Sequence, residues 1–478
     1  MTSPPLRSIK TNTLCSIFFI FVLILGWLSL EACSINAKSS EEITGDAGIP
    51  EPTVEKKPVL ATVQRPISQR LCVAQPNNSA VYGQNLLWTV KKLQEAGVSW
   101  LRFEFLWHRI EKQKGKFDFS YYDRIFDQLQ KHGIQFLAVL AYGVPWASSK
   151  TDKDYHYPPD DPKDFARFAK EVATHFKGKI SSWEIWNEPN AGYRFWKTAA
   201  RGDPVAFAAL TKAAAEAIRG VESTNKIAFG GTFFHPQVIM GGIEFSQKAF
   251  AAEPKLKELL DRMAVHPYTI YPPSVAPEYG EKANLPITKI LTDTAAFLPG
   301  KPLWVTEVGW PVYNKVDLQK QAEYLSRAFL LSFAMGTEVV CWYNFVDGPD
   351  FTKFPPEQAF GLFHYAKDWS KEPPKPKPAY HALKALHDVL GKTTETQRVE
   401  KELSLQKGEF GIRFSGKEHT ILALWRVAEA KERTVQIPLP KGKKLEAYNF
   451  LGKKAPPKQE GDTIQVTLQT GPQYLVFR

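Results

Sequence analysis

Between residues 71 and 390, short apolar runs alternate with longer segments in which apolar residues recur at every third or fourth position. That rhythm belongs to parallel strands joined by helical crossovers. Strands are expected at 71–74, 100–106, 135–141, 180–186, 226–230, 262–266, 302–307 and 338–345, and helices at 86–95, 121–132, 164–176, 204–221 and 318–334. Eight strands with intervening helices are the count of a (β/α)8 TIM barrel, an α/β fold, with a doubly wound sheet as the rival arrangement. A Lys-Pro stretch at 372–378 interrupts the pattern before a last helix at 379–390. From about residue 394 the period falls to two, with strands expected at 410–414, 420–425, 434–437, 445–450, 463–468 and 474–477 between glycine turns, as in a small C-terminal β-sandwich. No internal repeat is apparent.

The N-terminus follows neither period. Arg7 and Lys10 precede an apolar run from Leu14 to Leu30, the n-region and h-region of an export signal. The run ends in Leu30-Glu31-Ala32-Cys33, which is similar to a bacterial lipobox, with Cys33 as the lipidated residue and Glu31 departing from the usual small side chain. A membrane anchor is the alternative, since the run sits at the lower limit for a spanning helix. Residues 34–66 are polar and aperiodic and read as a linker. The expected organisation is therefore a signal or anchor at 1–33, a linker at 34–66, a barrel at 67–392 and a sandwich at 393–478. The expected destination is the bacterial cell envelope, with the chain held at the membrane as a lipoprotein.

Charge changes the picture little. The net +11 is spread along the chain, with Lys and Arg interleaved among Asp and Glu, so nucleic acid is not an expected partner. Of four cysteines, Cys15 and Cys33 lie in the export segment. Cys72 and Cys341 fall in apolar strand-like runs and read as two buried thiols, although a closing barrel would make their strands neighbours.

The chemistry lies at two strand ends. In a barrel, functional groups gather at the carboxyl ends of the strands. In Trp183-Glu184-Ile185-Trp186-Asn187-Glu188-Pro189-Asn190 an apolar run stops at a proline that forbids further ladder pairing, which leaves Glu188 at the end. In Leu303-Trp304-Val305-Thr306-Glu307-Val308-Gly309-Trp310, alternation groups Leu303, Val305 and Glu307 on one face, expected to point inward, and Gly309 lets the chain turn away. Two carboxyl groups held on opposite sides of a bond are what glycoside hydrolysis requires, one to protonate the leaving oxygen and one to attack or to activate water. No phosphate loop, metal-spaced His/Cys cluster or Ser-His-Asp order is present.

On these residues the sequence resembles clan A of the glycoside hydrolases, whose members carry Asn-Glu after the fourth strand and Glu after the seventh. Within the clan, Tyr157-Pro158-Pro159, Trp186-Asn187-Glu188-Pro189-Asn190, Phe195-Trp196, His266-Pro267-Tyr268, Phe360-Gly361-Leu362 and Lys377-Pro378-Ala379-Tyr380 look like family 39, which includes β-xylosidases and endoglycosidases of bacterial exopolysaccharide. The resemblance implies a retaining enzyme acting on an oligo- or polysaccharide without a cofactor. Glu188 would be the acid and then the base, and Glu307 the nucleophile, with carboxyl groups about 5–5.5 Å apart. It also implies that Asn187 binds the sugar 2-hydroxyl, which needs a break in the strand, since alternation points it away from Glu188. Arg102 and Tyr268 are candidates to hold Glu307 ionised, and His266 is a further binding candidate with a satisfied core histidine as its alternative. Among aromatics that suit a sugar face, Trp196 and Trp342 come first, ahead of Trp146, Tyr193 and Trp310. Glu184 reads as a buried structural carboxylate, and Arg102 has Glu104 as an alternative partner. Two other readings keep the same barrel: a carbohydrate-binding envelope protein that no longer turns over, and a transglycosylase.

Overall fold

Eight parallel strands close on themselves in chain order: β1 (Leu71–Ala74), β2 (Trp100–Leu106), β3 (Gln135–Ala141), β4 (Ser182–Ile185), β5 (Lys226–Phe233), β6 (Arg262–His266), β7 (Leu303–Val308) and β8 (Thr337–Tyr343). The structure, a computed structural model, describes residues 59–75, 79–150, 154–198, 202–234, 240–268, 271–279 and 285–478. The seam is β1 against β8, with Leu71 opposite Val340 and Ala74 opposite Tyr343, which excludes the open doubly wound sheet. Helices α1 (Leu86–Glu95), α2 (Ser120–Lys131), α3 (Pro162–His175), α4 (Pro204–Val221), α5 (Gly242–Ala252), α6 (Ile287–Ala295), α7 (Leu318–Ala334) and α8 (Pro378–Leu390) follow the strands in turn.

Alternation along each strand sorts side chains into two layers. On β2, Leu101, Phe103 and Phe105 belong to the apolar layer shared with the helices. Trp100 points into the barrel and joins Leu137, Ala228, Ala264, Trp304, Val339, Cys72 and Cys341 in a separate interior cluster. Cys72 and Cys341 face each other across the seam and form a disulfide, correcting the expectation of two thiols. The reason is the register itself: barrel closure brings the two Cα atoms to 4.1 Å.

The helices start on marked residues. Asp161, Asp203 and Asp317 each accept a hydrogen bond from a backbone N–H of the first turn of α3, α4 and α7, and prolines open α3 and α4. The last two of these caps re-anchor the chain after the loops that leave β4 and β7, with Glu188 on the first of these loops and Glu307 within the end of β7.

After α8 come β9 (Glu395–Arg398), β10 (Glu409–Ser415), β11 (Thr420–Arg426), β12 (Thr434–Pro438), β13 (Leu445–Asn449), β14 (Lys458–Glu460), β15 (Thr463–Thr467) and β16 (Gln473–Phe477). They form a five-stranded sheet in the order β13-β16-β11-β10-β9 and a three-stranded sheet in the order β12-β15-β14. The larger sheet is fused to the barrel, for Ile412, Phe414, Ile421, Trp425 and Tyr474 share the barrel's outer apolar core. At that join Glu278 accepts from Arg327 of α7 at 2.8 and 2.5 Å and from the Trp425 indole at 2.8 Å.

Residues 59–66, assigned to the linker from sequence, pack beneath the barrel, where Gly300 N–H donates to Val59 O at 2.9 Å and Leu60 meets the core. Residues 1–58, with Cys33 and the export segment, lie outside the described residues. No helix among the described residues is long and apolar enough to cross a membrane.

Candidate active site

A cleft of about 370 Å³ opens at the carboxyl ends of the strands, and Glu188 and Glu307 both line it. Neither arrives by simple alternation. On β4, Glu184 points into the barrel while Trp183 and Ile185 face the helices, so strict alternation would turn Trp186 inward. Instead the strand ends at Ile185, and Trp186 and Glu188 take left-handed backbone angles with φ of 69° and 46°. The break buries Trp186 in the outer layer and delivers both Asn187 and Glu188 to the cleft. On β7, Leu303 and Val305 face the helices rather than the interior, which corrects the expected grouping with Glu307. The pairing with β8 is irregular between Val305 and Val308, and this bulge re-aims Glu307 into the cleft. Gly309 serves close approach more than turning, since a Cβ there would meet Tyr343 O at 2.1 Å.

Below the two carboxyls lies a buried polar network. Arg102 on β2 forms a two-pronged ion pair with Glu184 at 2.9 and 3.0 Å, donates to Asn187 Oδ1 at 2.8 Å, and reaches Glu307 Oε2 at 3.5 Å. Glu104, the partner considered for Arg102 from sequence, instead accepts from the Tyr142 hydroxyl at 2.8 Å. Glu184 also accepts from Gly231 N–H at 2.9 Å. Only glycine fits at 231, because a Cβ would come within 2.4 Å of His266 Nε2 and 2.6 Å of Glu184 Oε1. Tyr268 donates its hydroxyl to Glu307 Oε1 at 3.2 Å.

His266 is fully buried and forms no part of the cleft wall, which corrects its assignment as a sugar ligand. It is a link between acids. The Thr306 hydroxyl donates to Glu184 Oε1 at 3.2 Å and so turns a lone pair toward His266 Nε2 at 3.1 Å. The network therefore assigns Nε2–H to the ring, leaving Nδ1 as an acceptor 2.8 Å from Glu188 Oε1. Burial pushes the His266 pKa down to about 4, in keeping with a neutral ring, and a protonated Glu188 supplies the O–H that Nδ1 needs.

Burial pushes Glu188 up to about 7 against the pull of Arg194 and Arg102. Burial raises Glu307 to about 7 as well, with Glu188 pushing it up and Arg102 pulling it down. Two such groups titrate as a pair, and the state with one shared proton spans neutral pH. Oxygen atoms of Glu188 and Glu307 and a ring nitrogen of His266 all fall within 4.8 Å of one another. That spacing also suits a metal ion, yet the hydrogen bonds of His266 to Glu188 and of Tyr268 to Glu307 already account for it.

The aromatic expectations divide. Trp196 is buried against Trp186 and Phe207, and Trp342 is buried with its indole donating to Phe360 O at 3.2 Å, so neither offers a face to the cleft. Trp342 precedes Tyr343 on β8, and alternation sends the second of the pair inward. Trp146 and Trp310 donate to backbone carbonyls of Glu111 and Val275 and also lie off the cleft, whereas Tyr193 lines it. Missed from sequence were Arg194, Tyr271, Tyr343 and Glu357. Glu357 accepts from the Tyr271 hydroxyl and from Tyr343 at 3.2 Å and lies 3.6 Å from Arg194.

Residues 66–266, β1 through β6, match the family model for glycosyl hydrolases family 39. The chain is glycoside hydrolase family 39-like. Its fold is shared with a family 39 glycoside hydrolase from Bacteroides cellulosilyticus WH2, at a TM-score of 0.67 and 22% identity over 87% of this chain and 81% of that one. It is shared too with a monomeric beta-xylosidase from Caulobacter crescentus CB15, at 0.60 and 15% over 88% and 98%. Among curated proteins, a phospho-cellobiase of Klebsiella oxytoca is 31% identical over 108 residues, 20% of this chain and 22% of that protein. A 6-phospho-beta-glucosidase of Dickeya chrysanthemi is 32% identical over 111 residues, 20% and 22%. The family-39-like chain thus spans about a fifth of the length of the curated relatives it matches.

Proposed function

We propose that this family-39-like protein hydrolyses β-glycosidic bonds of an oligo- or polysaccharide with retention of configuration. The observation that carries the reading is the short gap between the carboxyls of Glu188 and Glu307, within 4.8 Å at their nearer oxygens, which favours the close spacing of direct attack over the wider spacing that admits a water. Glu307 attacks the anomeric carbon as Glu188 gives its proton to the departing oxygen, forming a glycosyl ester. Glu188, now a carboxylate, takes a proton from water as that water displaces Glu307. Arg102 and Tyr268 hold the attacking carboxylate in place and stabilise its charge. Asn187, with Oδ1 taken by Arg102, has its amide N–H groups left for a sugar hydroxyl.

Export to the envelope and attachment through Cys33 belong to the same proposal. The Cys72–Cys341 disulfide supports it, because such bonds persist in oxidising compartments. The decisive test uses aryl β-glycosides with wild type, Glu188→Ala and Glu307→Ala. Wild type turns over, and azide restores Glu188→Ala with a glycosyl azide of retained configuration and Glu307→Ala with one of inverted configuration. If wild type releases no sugar from any glycoside while still binding a glycan, the protein is a binding protein instead.

A further inference from the structure

We infer that a cavity beneath the barrel, at the amino ends of β1 and β8, binds a small tetrahedral oxyanion, phosphate or sulfate, through Arg70 and Arg413. The inference is independent of the glycan reading. The cavity holds about 490 Å³ and is walled by residues 60–64, by Arg70 and Phe333 at the foot of the barrel, and by β9 and β10 of the sandwich. Among the described residues three arginines are buried, and two of them meet a carboxylate in a two-pronged pair, Arg102 with Glu184 and Arg327 with Glu278. Arg70, only 1% exposed, has no such pair among the described residues. Glu338, the acid that acts on it, is held by Arg262 at 2.6 Å and by the Trp304 indole at 2.9 Å. Arg70 spends Nη2 on the carbonyls of Phe333 and Thr337 and lies 4.5 Å over the Phe333 ring, while its Nε has no acceptor. Carbonyl dipoles and a ring face offset part of a buried charge, and an anion in the cavity completes the compensation.

Burial pushes the Arg70 pKa down to about 9, with Glu338 pulling it up and Arg65 pushing it down, whereas at Arg102 and Arg327 the neighbouring Glu184 and Glu278 outweigh burial and raise it. The rest of the wall suits a negative ligand. Arg413 pairs with Glu402 through Nη2 and donates from Nη1 to Gln397 Oε1 at 3.2 Å, which fixes its guanidinium and uses two of its five N–H groups. Thr394 and Ser415 add hydroxyls, and Glu395 is the single carboxylate among the lining residues, against two guanidiniums. These donors come from the barrel and from the sandwich, so they approach from different sides, which fits an anion with diverging oxygens better than a planar carboxylate. An anion seated there touches both domains and the segment that runs beneath the barrel, so its binding stabilises their join.

The test uses the full chain in detergent. Inorganic phosphate is titrated against chloride at constant ionic strength, with binding read by titration calorimetry and unfolding by scanning calorimetry. Phosphate should bind saturably and raise the melting temperature with it. Arg413→Gln should weaken binding about tenfold. Ser415→Asp, which supplies a resident carboxylate, should abolish the phosphate response and raise the melting temperature in chloride. Both variants leave Arg70 and its hold on the end of α7 in place. A phospholipid headgroup carries the same chemistry, so the chain is also placed in vesicles of phosphatidylglycerol or of phosphatidylcholine without free phosphate. A higher melting temperature in phosphatidylglycerol that Ser415→Asp abolishes makes the headgroup the ligand, and a response to free phosphate alone makes it a soluble anion. Stabilisation by neither source, or one that both variants retain, overturns the inference.

Discussion

Glu188 is asked to arrive protonated, and its neighbours decide how firmly it holds that proton. Thr306 fixes the His266 tautomer by giving its own hydrogen to Glu184, and the bare Nδ1 then favours a neutral Glu188. In Thr306→Val the ring is free to carry its hydrogen on Nδ1 and donate to a Glu188 carboxylate, which stabilises the charged form. The basic limb of the kcat/KM profile should therefore move down by about one unit, and an unmoved limb would show that the tautomer plays no part. Loss of the carboxyls themselves is graver. Glu188→Ala should cost about 10²–10⁴-fold in kcat for good substrates, and Glu307→Ala about 10⁴-fold or more. Stability should move the other way. Burial raises both Glu188 and Glu307 to about 7, so the native state favours the protonated pair over the doubly charged one, and the penalty for that charge is absent below the unfolded value near 4.5 and complete above pH 7. Glu307→Gln should hence stabilise the fold by on the order of 2 kcal/mol above pH 7 and by little below pH 4.5, measured by denaturant titration at both pH values.

Among the elements, what the sequence makes legible is whatever obeys a period. Strands 71–74, 100–106 and 135–141 and helices 86–95, 204–221 and 318–334 have the same bounds in pattern and in structure. The errors lie where function breaks the period. The left-handed backbone at Trp186 and Glu188 and the bulge before Val308 leave no trace in hydrophobic alternation, though Asn187 at the end of β4 does demand a break. Arg194, Tyr271 and Glu357 sit on loops, where no period exists to place them, and only the closed barrel brings three loops together. Strands β9 and β14 were missed because they are exposed and polar, with backbone pairing alone to define them. The disulfide shows the same dependence on closure, since its cysteines are 269 residues apart in sequence and adjacent only at the seam. A loop of that length gives an entropic stabilisation of about 5.6 kcal/mol at most, and measured values usually lie at about 2–4 kcal/mol. Replacing Cys72 and Cys341 together by alanine should therefore lower the stability by about 2–4 kcal/mol while leaving aryl-glycoside KM nearly unchanged. A large change in KM would mean that the seam shapes the cleft as well as closing the barrel.

At the scale of the whole molecule, barrel and sandwich are joined by one buried charge, and this makes them a single folding unit. Arg327 on α7 is nearly inaccessible, and Glu278, on the loop after β6, is the carboxylate that both neutralises it and receives the Trp425 indole from the sandwich. Removing Glu278 leaves a buried guanidinium uncompensated and an indole N–H without an acceptor. Breaking one side of a buried pair typically costs about 3–5 kcal/mol. Around it, Ile412, Phe414, Ile421 and Tyr474 are continuous with the apolar core beneath the barrel helices, so the two domains share surface that neither can expose. Three outcomes follow for calorimetry. The wild-type protein should unfold in one transition, and Glu278→Ala should move that transition to lower temperature without splitting it. Glu278→Gln, which keeps an acceptor for the indole but not the charge, should fall between them. Separate transitions for barrel and sandwich would mean that the shared core is too small to couple them, and a barrel ending at residue 392 would then be expected to fold and bind glycans alone.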